Sequence, residues 1–587
     1  MRINEMMKDF QIFPCDVLVI GTGAAGCAAA ITAAEKTAQV ILVNKGTFGR
    51  SGTTCLGSVV YAAGLGHTDE RDTPDFHFLD TIVEGRYLGN QELVKILAEE
   101  APRTVYDLER YGVSWYKRGE KVIDPSRYDY FQLPSPPHRY NRGVHQNEKT
   151  GQAIQKALCK EVRKHSRSIR IADDIYIWKG VVNDGRVQGA LGLDLRTGQI
   201  AAFPCKALVI ATGGAGSSYK VTDMDTGATG DGYALALDAG ADLIDMEFTQ
   251  FFPTSFVHPE SLQGIIVATS ALWTSGLKLY NKENERFMAR QFPSTGENLP
   301  RDILSRHIFM EIEAGRGTPH GGVWLDTSAI ENWEGVRKDR PRSYLWPERF
   351  GVAARRFEIA PTYHFTLGGI RINGKCETNI AGLYAAGEAA GGVHGANRLA
   401  GNALAECTVF GQIAGKEAAG WRREEMGGVD DSAIGQEVEK RSTLFEPGSG
   451  RGHIRSATLV RKLREIMYRD VGVVRDRNGL TRAQKEIAKL REAAENDLEV
   501  IPGKIFNYDQ IQAFELFNML DLCQLVIQGA SRREESRGAH YRRDYPATQD
   551  PKWLKNNVYR RREDALQIET VDVETPYVQI PESSGHE

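Results

Sequence analysis

Three glycine-rich stretches are spaced so that backbone rather than side chain would meet a ligand. Gly21-Thr-Gly-Ala-Ala-Gly26 interrupts the apolar run 16–20 and opens an Ala-rich stretch to about Thr37, after which residues 39–43 are apolar again. That order is a strand, a helix and a second strand. Within it Gly21 permits a tight turn, Gly23 lets backbone approach a pyrophosphate, and Gly26 lets the helix pack closely on the strand, with phosphate facing the helix N-terminus. A second turn, Thr212-Gly-Gly-Ala-Gly216, follows the apolar run 207–210, and a third stretch sets Gly387 and Glu388 just after Leu383-Tyr-Ala-Ala386. Paired nucleotide turns of this kind favour FAD over a nicotinamide cofactor. Asn44 ends the second strand, where an acid usually meets the ribose hydroxyls, and an asparagine can still accept that hydrogen bond. A glycine turn that binds nothing is the bland alternative, and the flanking strand and helix weigh against it.

The elements that must position these turns imply several domains. A chain of 587 residues exceeds one core and, at roughly 100–200 residues per domain, asks for about three or four units. Residues 1–243 form the first part of an FAD-binding domain. Residues 244–360, richer in aromatic and charged side chains and lacking the strand–helix rhythm, form an inserted cap. Residues 361–432 return to the FAD-binding domain, and 433–545 turn helical, with Leu, Ile and Val at 3.6-residue spacing over 451–468, 481–497 and 508–531. Residues 546–587, carrying Pro546, Pro551, Pro576 and Pro581, are expected as an extended tail. The predicted fold is α/β: a Rossmann-like FAD-binding domain, an inserted α+β capping domain and a C-terminal helical domain. Substrate is expected between the first two.

Composition narrows the classes. With 41% hydrophobic and 26% charged residues and a net charge of −4, the chain has no electrostatic footprint for nucleic acid. Its eight cysteines include no C-x-x-C pair, which argues against a disulfide framework, a metal site or an iron–sulfur cluster in this polypeptide. A reducing, cytoplasmic setting is expected. The first residues show neither a secretory nor a twin-arginine pattern. No membrane span is expected, so any membrane association comes through partner subunits.

Beyond the glycine turns, ordered motifs accumulate. They are Thr229-Gly-Asp-Gly232, Met246-Glu247 with Gln250-Phe251, Glu285-Arg-Phe-Met288, Arg301-Asp302 with Ser305-Arg306, His364 with Gly368-Gly-Ile370, His394-Gly-Ala-Asn-Arg-Leu399 and Glu535-Ser-Arg-Gly-Ala-His540. From about Asp16 to Leu554 the sequence resembles the flavoprotein subunits of succinate dehydrogenase and fumarate reductase, a family that includes L-aspartate oxidase and the adenylylsulfate reductase flavoprotein. The resemblance implies that FAD is held by Gly21, Gly23, Ala24, Ala25 and Gly26, by Asn44 and Lys45, and by Ser51, Gly52, Thr53 and Gly57. It adds Thr212, Gly213, Gly214, Asp231, Glu388, Arg398, Asn402, Ala403 and Leu404. It implies hydride transfer between flavin N5 and a substrate carbon, with Arg301 moving the proton on the neighbouring carbon. His364 and Arg398 would clamp a substrate carboxylate, a planar guanidinium binding both oxygens at once.

Departures from the family pattern carry their own expectations. Phe252 stands where the family has a histidine before Pro-Thr254. In the stretch beginning Thr269, Ser270 replaces a glutamate and Trp273 an arginine. Losing three polar partners would cost a dicarboxylate roughly 1–3 kcal/mol each, so one end of the pocket should accept an apolar or aromatic group. Gly52 replaces the histidine that bonds FAD covalently in some members, so noncovalent FAD is expected. The resemblance further implies a separate iron–sulfur subunit that supplies electrons. Other readings are amino-acid oxidation as in L-aspartate oxidase, an adenylylsulfate reductase-like activity, and a flavoprotein that only relays electrons. Retention of Arg301, His364 and Arg398 argues against the last.

Overall fold

A computed structural model describes residues 10–36, 38–57, 60–117, 130–134, 137–267, 276–352, 355–421, 437, 452–562 and 565–581. Its centre is a parallel sheet in which Cys15–Ile20 lies between Val40–Val43 and the second half of Gln199–Ile210. Ile169–Ala172 extends one side and Leu383–Ala385 the other. Strands covered on both faces need continuous apolar runs, and Val17, Leu18 and Val19 are fully buried. The first half of Gln199–Ile210 continues as an antiparallel meander with Arg186–Asp194 and Ile175–Asn183.

Helix Ala24–Glu35 follows the first turn and crosses helix Asn402–Gly420 at close range. A Cβ on Gly411 would lie 2.5 Å from Ala25 O, and one on Gly415 would overlap Ala29 O. Glycines four residues apart lie on one helix face and so let the two backbones touch. That contact holds the start of the chain against the segment that returns from the cap.

The cap is an antiparallel sheet ordered Thr249–Phe256, Arg356–Thr366, Val323–Asp326 and Lys278–Tyr280. Helix Arg301–Glu311 packs on it, and Leu304 and Ile308 join Phe256, Leu279 and Phe357 in its own apolar core. Three helices follow, Ser456–Asp470, Arg477–Asp497 and Tyr508–Arg532, the last two capped by Asp476 and Asn507. Where the sequence reads as an extended tail, the chain instead forms the hairpin Lys555–Arg562 and Ala565–Asp572. The hairpin pairs with Leu243–Ile244. It escapes sequence reading because its first strand is mostly polar and charged, with Val558 and Tyr559 as its apolar residues, leaving no apolar run to mark it.

Candidate functional site

The glycine turns, the cap and the helical segment meet around one cavity of about 830 Å³. Its walls include Gly21, Gly23, Ala24, Ala25, Asn44, Lys45, Ser51, Gly52, Thr53, Gly57, Thr212, Gly213 and Asp231. Farther along are Glu388, Arg398, Ala403 and Leu404, then Phe252, Arg301 and His364. Four expected residues do not line it. A Cβ on Gly26 would overlap Gly21 O beneath the turn, and one on Gly214 would overlap the Glu388 carboxylate. Asn402 is engaged with His77 Nε2 at 2.8 Å and donates to Thr81 Oγ1 at 3.0 Å. Thr254 is buried within its strand. Thr269, Ser270 and Trp273 lie outside the described residues.

The glycine end is shaped for a long dinucleotide. Gly213 has φ +77 and a Cβ there would meet nothing within 4 Å, so any side chain would intrude on open cavity. Lys45 Nζ donates to Asp231 Oδ2 at 2.6 Å, Glu515 Oε1 at 2.7 Å and Thr229 Oγ1 at 2.9 Å. Burial opposes the charges on Lys45 and Asp231, but their attraction outweighs it: Lys45 is held above its ordinary range and Asp231 below. Burial pushes the Glu515 carboxyl up despite Lys45. Asn44 Nδ2 donates to Ser51 Oγ at 3.0 Å, fixing the second strand's end against the next loop.

The cap end gathers cations around an aromatic ring. Arg301 begins its helix just after Pro300, and its Nη1 donates to Gln250 Oε1 at 3.5 Å. Its guanidinium lies 5.4 Å from the Phe252 ring, which lies 5.1 Å from the His364 ring. Register shifts on either side of Phe252 break the strand's two-residue alternation at this point. His364 Nδ1 pairs with Asp223 Oδ2 at 2.7 Å; burial, then the two arginines, keep the imidazole's affinity for a proton low against the pull of Asp223. Arg398 stacks 4.8 Å from the Phe365 ring. Its buried Nε finds no protein partner among the described residues. Burial, then repulsion from Arg301, lower Arg398 to about 9. Two desolvated cations and a buried donor without a partner make a site that an anionic oxygen would complete.

Among the other polar groups here, Asp223 and Glu84 were not singled out in the sequence, whereas Gln250, Asn397 and Glu388 stand in motifs quoted above. Asp223 orients His364. Gln250 Nε2 donates to Asn397 Oδ1 at 2.7 Å and to Arg398 O at 3.0 Å, and Asn397 Nδ2 donates to Glu84 Oε1 at 2.7 Å. Glu388 accepts from Thr366 N at 2.9 Å, and burial pushes its carboxyl up to about 8. His258 stacks on His320 at 3.8 Å and does not line the cavity.

The FAD binding domain family matches residues 16–404, and the family described as fumarate reductase flavoprotein C-term matches residues 460–584. One subunit of the fumarate reductase (CoM/CoB) of Methanothermobacter marburgensis is 40% identical, over 94% of this chain and 98% of that protein. The succinate dehydrogenase flavoprotein subunit of Coxiella burnetii is 30% identical, over 94% and 96%. The structure of Mycobacterium smegmatis Sdh1 in complex with UQ1 superposes with TM-score 0.87 at 33% identity, covering 97% of this chain and 96% of that one. With a cavity whose glycine-lined end accommodates a dinucleotide, the chain belongs to the succinate dehydrogenase and fumarate reductase flavoprotein family and is an FAD-dependent oxidoreductase.

Proposed function

We propose that the protein reduces, or in reverse forms, a carbon–carbon double bond beside a carboxylate. Bound FAD supplies the hydride acceptor and donor, its N5. Arg398 and His364 hold the substrate carboxylate, and Arg301 moves the proton on the carbon next to the one that exchanges hydride. Free guanidinium is a weak acid, with a pKa above about 12. Burial lowers that of Arg301 against the attraction of Glu84, Asp302 and Asp223, and placement at the reacting carbon supplies much of the rest. The observation that carries the reading is the convergence of Arg301, Arg398 and His364 on one cavity continuous with the glycine turns. Electrons would come from a separate iron–sulfur subunit; the relatives' names, which call them subunits, support a partner.

Phe252, between Arg301 and His364, places an apolar ring where one end of the substrate would lie. The preferred acid should therefore bear an aryl or alkyl group. Plain fumarate reduction is the second reading, favoured by the name of the Methanothermobacter relative. Anaerobic assays with reduced viologen decide between them, using wild type and a Phe252→His, Ser270→Glu, Trp273→Arg triple variant. An aryl-substituted acrylate should exceed fumarate by at least about tenfold in kcat/KM, about 1.4 kcal/mol of differential transition-state binding, and the triple variant should reverse the order. Rapid fumarate reduction by the wild type would sink the altered specificity.

A further inference from the structure

Beside the Arg301–Arg398 pair lies a buried carboxyl to which the proposed reaction assigns no task. Glu84 ends helix Pro74–Glu84 and is 6% exposed. A line of hydrogen bonds joins it to the proton-moving residue: Arg301 Nη1 to Gln250 Oε1 at 3.5 Å, Gln250 Nε2 to Asn397 Oδ1 at 2.7 Å, Asn397 Nδ2 to Glu84 Oε1 at 2.7 Å. Every donor points from guanidinium toward carboxyl, the order that an anion at the far end imposes. Gln250 cannot reverse without giving up its bond to Arg398 O at 3.0 Å.

The charged groups facing Glu84 are Asp302 on the helix that Arg301 begins, and the cations Arg86, Arg301 and Arg398. Burial, then Asp302, push its carboxyl up to about 7 against the three arginines. A carboxyl raised in the folded state contributes stability below its ordinary range and loses it as pH rises through the folded value. Above neutral pH, Glu84 therefore weakens the fold, which is the pattern of a residue kept for something other than stability.

We propose that Glu84 is a positioning residue for Arg301: its carboxylate orders the Asn397 and Gln250 amides so that Gln250 Oε1 holds one guanidinium N–H, and its charge keeps Arg301 cationic beside Arg398. The proposal rests on the reading of Arg301 as the group that moves the substrate proton. It predicts that activity needs the ionised form of Glu84.

The test compares wild-type, Glu84→Gln and Glu84→Asp holoenzymes with the best acid of the panel, from about pH 5.5 to 9, with flavin content and Tm measured on each. Wild-type kcat should fall as pH drops through about 7, and Glu84→Gln should lack that limb. At pH 8, Glu84→Gln should lose about tenfold or more in kcat with KM within about twofold, full flavin content and a Tm equal to or above wild type. Glu84→Asp should recover part of the rate. An unchanged rate and pH profile in Glu84→Gln overturns the proposal while leaving the reading of Arg301 intact. Loss of rate together with flavin and Tm marks Glu84 as structural and overturns it as well. A flavin-loaded wild type inert toward every unsaturated acid removes the reading of Arg301 and the role of Glu84 with it.

Discussion

An arginine can serve as an acid only where its surroundings weaken its hold on a proton and its placement does the remaining work. Arg301 meets both conditions, desolvated at the cap end of the cavity with one N–H on Gln250. Lysine in its place would keep a positive charge but lose the planar fork and the reach. Arg301→Lys should lower kcat by about two orders of magnitude or more, ~2.7 kcal/mol, in the range of a lost general acid. Flavin content should stay at wild-type level, because Arg301 lies at the cap end, away from the glycine turns; equal loss of flavin and rate in absorbance and turnover assays would make it structural. Arg301, His364 and Arg398 were legible because each sits in a motif of fixed spacing. Glu84 and Asp223 were not: they are two of 77 acidic residues, and only the fold brings Glu84 to Asn397, 313 positions away.

At the scale of elements, the sequence was legible where a short motif dictates backbone geometry. The first turn emerges between a strand ending at Ile20 and a helix beginning at Ala24, much as its glycines require. The C-terminal hairpin, whose first strand carries only Val558 and Tyr559 as apolar residues, and the register shifts around Phe252 depend on pairing with distant strands and leave little local signal. Gly52 shows what one residue does to an element. It precedes the short 3₁₀ turn Thr53–Leu56 at φ +94 and ψ 154, a conformation that favours glycine. A Cβ on it would meet nothing within 4 Å, so the turn faces open cavity with no side chain to bond to the flavin. FAD should therefore be held noncovalently. Acid precipitation should release all of the yellow colour into the supernatant, and fluorescence retained on the denatured chain would show a covalent link elsewhere.

For the molecule as a whole, the cavity wall is shared among segments far apart in sequence. Helix Ser456–Asp470 presents Val460 and Arg464 to it, and helix Tyr508–Arg532 presents Ile511, Glu515 and Met519. These are spacings of four residues, which put each set on one helix face. Arg464 Nε reaches across to Ser217 O at 2.7 Å, and Glu515 to Lys45 at 2.7 Å, so polar contacts join the helical segment to the glycine-turn end beside an apolar core that the two share. A ligand filling the cavity would add apolar and polar contacts on both sides at once. Because FAD binds the folded form, free FAD at about 1,000 times its Kd stabilises by about 4.1 kcal/mol. Stripping the flavin should therefore lower Tm by roughly 3 °C and expose the helical segment to limited proteolysis first, and FAD should restore both. Glu515→Gln should weaken this response, since it removes the acid that ties the helical segment to Lys45. A stripped protein that melts and digests as the holoprotein does would show that the cavity is not where FAD joins these segments.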